Sequence, residues 1–191
     1  EVPLMAEAIR IWQGLDARTG RDTGYKQCGI VFASMDEKYE AKNAEWPDIL
    51  TKYQMPSRMV DGPELSRLYP GMKHNFKSAL YTPADGRAEP QKAAPAIAEA
   101  ARDKGAHILT KCAVRGIETS GGRISGVVTE RGTIACSSVV LAGGAWSSLF
   151  ARNAGVDLPQ LKVMNTVIRT KPIEGGPEQT FYGRDFAFRK R

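Results

Sequence analysis

Val139-Val140-Leu141-Ala142-Gly143-Gly144-Ala145-Trp146-Ser147 is the stretch of this sequence best suited to chemistry, and that chemistry is ligand binding. An unbroken apolar run with β-branched residues suits a strand covered on both faces of a parallel sheet. The glycine pair falls where that strand should end, and a bare backbone there lets a ligand approach closely. Ser147-Ser148-Leu149-Phe150 can then open a helix. The same pattern also fits a plain strand–turn–helix connection, because glycine pairs are common punctuation. Few other residues have the types and spacing for chemistry. His74 and His107 are isolated, which suits structural or surface roles better than metal ligation. Cys28, Cys112 and Cys136 are odd in number, far apart and without a Cys-x-x-Cys pair. That argues against a disulfide framework or a zinc site and makes a reducing cytoplasm the default.

The elements that must position these residues come from a chain of 191 residues with 42% hydrophobic content and a net charge of +6. Such a chain can bury around two-thirds of its unfolded surface. No stretch approaches the roughly 20 apolar residues needed to span a bilayer, and no signal peptide is visible. Glu1 is not an initiator methionine, so the sequence need not begin at a natural start. Basic residues are spread along the chain, apart from Arg184, Arg189, Lys190 and Arg191 near the end. Without a concentrated basic face or a supporting motif, nucleic acid is set aside as a partner.

Leu4, Met5, Ala8, Ile9, Trp12 and Leu15 recur at helical spacing between Pro3 and about Asp16. Tyr25 to Ala33 reads as a strand. Asp36 can cap a helix running towards Tyr53, which Pro47 should interrupt or kink. Asp61-Gly62-Pro63-Glu64 starts a short helix ending near Leu68, and Ser78 to Thr82 is a strand. The alanine-rich segment from Pro90 to Lys104 is a helix stopped by Gly105. Pro95 is tolerable only near a first turn, which places the helix start at Gln91 or later. His107 to Thr110 reads as a strand. A meander follows, with strands at Ala113 to Thr119, Ile124 to Thr129 and Thr133 to Cys136. Lys162 to Thr170 alternates like an amphipathic strand, antiparallel in a second sheet, and Phe181 to Phe188 can begin its continuation.

The glycine stretch resembles the flavin-contacting segment of the D-amino-acid oxidase and sarcosine oxidase superfamily, usually Ala-(Thr/Ala/Gly)-Gly-Ala-Trp-Ser. Asp85-Gly86-Arg87-Ala88-Glu89-Pro90 resembles that family's Asp-Gly-x-x-(Asp/Glu)-Pro before a helix. Gly105-Ala106, Val114-x-x-Ile117 and Leu158-Pro159 follow in the family's order. The resemblance runs from about Trp12 to about Arg191.

It implies a mixed α/β (α+β) fold: part of an FAD-binding nucleotide domain with a β-meander, plus part of an antiparallel-sheet substrate domain. The expected division is a substrate-domain portion over 1–84, an FAD-domain portion over 85–157 and returning substrate-domain strands over 158–191. The resemblance also implies a full-length FAD enzyme that oxidises the C–N bond of an amino acid or secondary amine. It places the backbone of Val114 near the adenine end of FAD, and Ala142, Gly143, Gly144, Ala145 and Trp146 along the dinucleotide. Val114 also fits an ordinary strand position, and Trp146 a core aromatic under the helix. An amino-acid carboxylate calls for a cation, best an arginine fork. Arg189, with Tyr182 as a nearby phenolic donor, lies in a region that contributes to the substrate face in related enzymes. Both also fit solvated edge positions. Thr129-Glu130-Arg131-Gly132-Thr133-Ile134 looks somewhat like the sarcosine oxidase β-subunit branch, which favours secondary amines over free D-amino acids.

A dinucleotide domain normally opens with a Gly-x-Gly-x-x-Gly turn that holds the pyrophosphate at a helix start. No such fingerprint occurs in these residues. In the resembling family it precedes everything seen here, so the expectation is the middle of a longer flavoenzyme, inactive alone. Two other readings stay open. One is a flavoprotein branch acting on a phosphorylated alcohol; the other is a non-catalytic domain that keeps only the fold.

Overall fold

The computed structural model describes residues 1–73 and 76–191, so His74 lies outside the described residues. The chain divides into two compact units, one of residues 1–106 and 171–191 and one of residues 107–170.

The first unit opens with α1 (Val2–Gln13) and α2 (Leu15–Thr19), followed by β1 (Lys26–Gln27) and β2 (Ile30–Ala33). It continues through α3 (Glu37–Thr51), β3 (Arg58–Asp61), α4 (Gly62–Leu68), β4 (Ser78–Thr82), β5 (Gly86–Arg87) and α5 (Pro90–Asp103). The strand expected over Tyr25 to Ala33 is broken in two at Gly29, whose φ of +78° no extended strand can hold. β3 was not foreseen: its four residues are too few for a periodic signal, and pairing with β4 defines it. α5 starts at Pro90, one residue before the expected start, and carries Pro95 in its interior. Helix-long packing of Ala93 and Ala96, both buried, outweighs the one backbone bond that Pro95 forfeits.

Asp36 caps α3 by accepting the Tyr39 N–H at 2.9 Å, as its position suggested. Pro47 sits inside α3, and the helix runs on past it to Thr51. Asp36→Ala is expected to destabilise the full-length protein by about 1 kcal/mol, the usual value of an N-cap. An unchanged midpoint in urea denaturation would remove the cap from the account.

The second unit holds the meander, β6 (Val114–Ser120), β7 (Arg123–Thr129) and β8 (Gly132–Ala135), paired in that order. Gly121 and Gly122 both have positive φ, so Ser120 meets Arg123 across a two-residue hairpin of the type that matches strand twist. A turn over Gly144–Trp146 then leads into α6 (Ser147–Asn153).

Three expected strands do not form. Residues 107–110, 138–142 and 162–170 carry no ladder. Among the described residues of this unit, the sheet is β6-β7-β8 alone, and no other strand lies beside these runs. A β-branched run has strand propensity, but a strand exists only with a partner. Val140 at 90% and Met164 at 94% exposure are therefore open to solvent rather than buried.

The chain returns to the first unit as β9 (Thr180–Tyr182) and β10 (Ala187–Phe188), an antiparallel hairpin rather than the continuation of a strand over 162–170 that the sequence suggests. They complete a five-stranded sheet of order β10-β9-β2-β4-β3, with β2 parallel to β9 and every other pair antiparallel. Alternation decides its faces. Val31, Ala33, Val60, Ala79 and Phe181 join Leu65 and Tyr69 of the α4 region in one core. Ile30 pairs with Thr82, and Phe32 pairs with Leu80 and Tyr182, on the opposite face. α3 is tied to the sheet by polar bonds that are buried or partly buried. The Asn43 amide donates to Ser34 Oγ at 3.2 Å and to the Phe32 carbonyl at 3.4 Å, and Ser78 Oγ donates to Glu40 at 2.8 Å.

Candidate functional site

The expected cofactor residues all fall in the second unit. Val114 is the first residue of β6, pairs with Thr129 and is half-exposed. Ala142 is exposed and precedes the turn. Gly143 has φ of −81° and sits so close to Ser147 that a Cβ would meet its Oγ at 3.2 Å. Gly144 has φ of +54°, and a Cβ there would meet nothing within 4 Å. Ala145 and Trp146 are exposed, Trp146 at 74%, so it is not a core aromatic packed under the helix within this unit. The turn is stapled by Gln160, whose amide donates to the Gly144 carbonyl at 3.2 Å while its Oε1 accepts the Ser148 N–H at 2.8 Å. Nothing in the spacing marked Gln160, because a single glutamine in a loop has no periodic signature.

The two expected substrate residues lie in the first unit, and the structure gives them different surroundings. Tyr182 stacks on Phe32 with ring centroids 5.2 Å apart and lines a cavity of about 450 Å³. The cavity is bounded by α1, β2, α3, β4 and the end of β9. Arg189 turns elsewhere: its guanidinium donates to the Ala88 carbonyl at 2.6 Å and lies 3.5 Å from Glu89. Arg191 donates to the same Glu89 carboxylate at 2.9 Å. Both arginines thus hold the chain entering α5.

The cavity walls are mostly apolar, with Phe32, Met35, Trp46, Leu50, Met55 and Leu80 among them. Three charged residues, Glu1, Asp85 and Lys42, also line it. Asp85 stands in a motif that the sequence made conspicuous, but with no role attached. Its carboxyl Oδ1 accepts the Gly86 N–H at 2.7 Å. Burial pushes its pKa above the ordinary carboxylate value, and the Gly86 bond opposes that shift only in part. A further charged cluster lies on the surface of this unit, where Glu178 meets Lys190, Lys26 and Arg87. The hydrogen bond from Lys190, then that from Lys26, holds Glu178 down at about 2.

Residues 1–190 match the family described as FAD dependent oxidoreductase. The chain belongs to that family. Human mitochondrial sarcosine dehydrogenase is 30% identical over 182 residues, which is 92% of this chain and 20% of that protein. The L-amino acid deaminase of Proteus myxofaciens, solved in complex with anthranilate, superposes with a TM-score of 0.74 at 41% identity. That match covers 82% of this chain and 36% of the other. The L-proline dehydrogenase of P. horikoshii superposes with a TM-score of 0.75 at 25% identity, covering 95% and 49% of the two chains. The chain therefore spans about a fifth of the length of the curated sarcosine dehydrogenases it matches. The mixed α/β architecture agrees with these solved structures.

The turn residues leave one flank open to a ligand. The Gly143-Gly144 backbone is bare, Gly144 faces open space, and Trp146 offers an uncovered ring beside it. The pyrophosphate grip of a Gly-x-Gly-x-x-Gly turn is not among these 191 residues. No three His, Cys, Asp or Glu side chains converge as a metal site among the described residues. No described helix is long and apolar enough to cross a membrane.

Proposed function

We propose that the full-length protein is an FAD-dependent oxidoreductase that oxidises the C–N bond of an amino acid or secondary amine. The observation that carries this reading is the family match over residues 1–190, with relatives named for sarcosine, proline and L-amino acids. FAD, when bound, supplies the acceptor for the hydride equivalent lost from the carbon beside nitrogen. This chain's own residues bind and orient. The backbone of Val114 lies towards the adenine end, and Ala142, Gly143, Gly144, Ala145 and Trp146 flank the dinucleotide. Residues of 85–157 serve the cofactor, apart from Asp85 at the boundary, which lines the cavity with Tyr182, while 1–84 and 158–191 build the substrate side. Tyr182 presents its phenol to substrate in the cavity. Arg189 acts by fixing the entry to α5 through Ala88 and Glu89. The free state of Cys28, Cys112 and Cys136 suits a reducing compartment such as the cytoplasm.

Sarcosine is the first substrate to test, because sarcosine dehydrogenase aligns with 92% of the chain. The full-length protein is expected to show flavin absorption in the visible, bleached without oxygen by sarcosine or an L-amino acid and not by glycerol 3-phosphate. Bleaching by glycerol 3-phosphate alone would transfer the protein to a phosphorylated-alcohol reaction. A colourless protein that cannot be loaded with FAD would end the enzyme reading.

A further inference from the structure

Asp85 follows β4 in the loop that leads to β5, and its position is fixed by backbone bonds alone. Its carbonyl accepts the N–H groups of Cys28 at 3.3 Å and Gly29 at 2.8 Å, while its carboxyl accepts that of Gly86. Among the described residues it has no ion-pair partner. The groups facing it are few. The Tyr25 phenol, from the segment before β1, is raised by its own burial first and then by the Asp85 charge. Glu1, Tyr39, Lys42 and Tyr182 share the cavity with it. Lys42 likewise has no carboxylate partner among the described residues.

A cavity of about 450 Å³ is of the size that takes a small molecule, and its apolar walls ask for an apolar body. A carboxylate left unpaired in such walls is costly, and a ligand that brings a cation removes the cost. We propose that Asp85 is the anionic anchor of the substrate site, receiving the ammonium of an amine or amino acid whose apolar body fills this cavity. The proposal rests on the amine or amino-acid reading above. From that position Asp85 can take one proton: the ammonium N–H bond breaks, the carboxyl O–H bond forms, and the nitrogen keeps a free lone pair. A carboxyl raised by burial is a better acceptor for that proton than an ordinary one. Lys42 meets the ligand only when the ligand carries its own carboxylate.

The test uses the full-length protein with its cofactor, with phenethylamine and the uncharged 3-phenylpropan-1-ol as calorimetric probes. Asp85→Asn keeps the shape and the bond from Gly86 but removes the charge. It is expected to weaken phenethylamine about tenfold or more and to leave the alcohol unchanged. Lys42→Met should not weaken phenethylamine, because it removes only a like charge from the cavity. Wild-type affinity for phenethylamine should fall as pH drops through the raised Asp85 pKa, because the protonated carboxyl loses its charge, and the Asn variant should lack that fall. Equal loss of both probes, no loss, or no binding of either by wild type overturns the proposal. Turnover on the same samples separates it from the function itself. Amine turnover with phenethylamine binding untouched in Asp85→Asn overturns the anchor and leaves the function standing. A selective loss in a protein that turns over no amine keeps the anchor and removes the function.

Discussion

Phe181→Ala is expected to cost the full-length protein about 3–5 kcal/mol, the upper range for a buried aromatic truncated to alanine. Phe181 is fully buried at the centre of β9, opposite Val31 of β2. Its ring meets Tyr69 edge-on with centroids 5.0 Å apart and stacks on Phe188 at 5.3 Å and Phe186 at 5.7 Å. Each such pair adds about 0.5–1.5 kcal/mol to the area buried. The neighbours belong to separate segments, α4 with its C-cap on one side and the β9–β10 hairpin on the other, so the void cannot be filled by a local shift. Tyr182 is the next residue, and its phenol follows any displacement of β9. Urea denaturation should show the loss in the midpoint, and Phe181→Leu should recover part of it. A loss below about 1 kcal/mol would mean that this ring does not organise the core.

Gly29→Ala is expected to cost about 2–4 kcal/mol through two separate effects. At φ of +78° an alanine pays backbone strain of about 1 kcal/mol. Its Cβ would also stand 2.6 Å from Tyr81 Cε2 and 2.9 Å from the Tyr81 hydroxyl. Tyr81 packs against the main core and lies under the Arg58 guanidinium at 5.5 Å, so its ring has little room to retreat. The strain reaches the cavity directly. The Gly29 N–H holds the Asp85 carbonyl at 2.8 Å, and the Gly29 carbonyl accepts the Thr180 N–H at 3.1 Å. Ligand affinity should therefore fall with stability. Gly105→Ala is the control, since Gly105 has φ of +93° with nothing within 4 Å of its Cβ. It isolates the backbone strain, and the difference between the two variants measures the clash. Equal losses would show that Tyr81 yields freely.

The sequence by itself determined the elements whose signals are local. Asp36 and Asp61 cap helices because a short carboxylate one residue before a helix reaches its free N–H groups. Gly121-Gly122 makes a hairpin because two residues with positive φ match the strand twist. The ordered motifs from Asp85 to Trp146 were enough to indicate the family. Tertiary structure decided whatever depends on a partner distant in sequence. The runs at 138–142 and 162–170 have strand composition but no neighbouring strand, so they form no ladder. β3 has little composition to speak for it and is a strand because β4 lies beside it. Arg189 had the right chemistry for a carboxylate, yet Ala88 and Glu89, about a hundred residues earlier, claim its guanidinium. Asp85 was visible as a letter in a motif. Only folding brings the backbone of Cys28 and Gly29 to pin it and sets the apolar walls of α3, β2 and β4 around its carboxyl, because desolvation of a charge is a property of what surrounds it and not of its place along the chain.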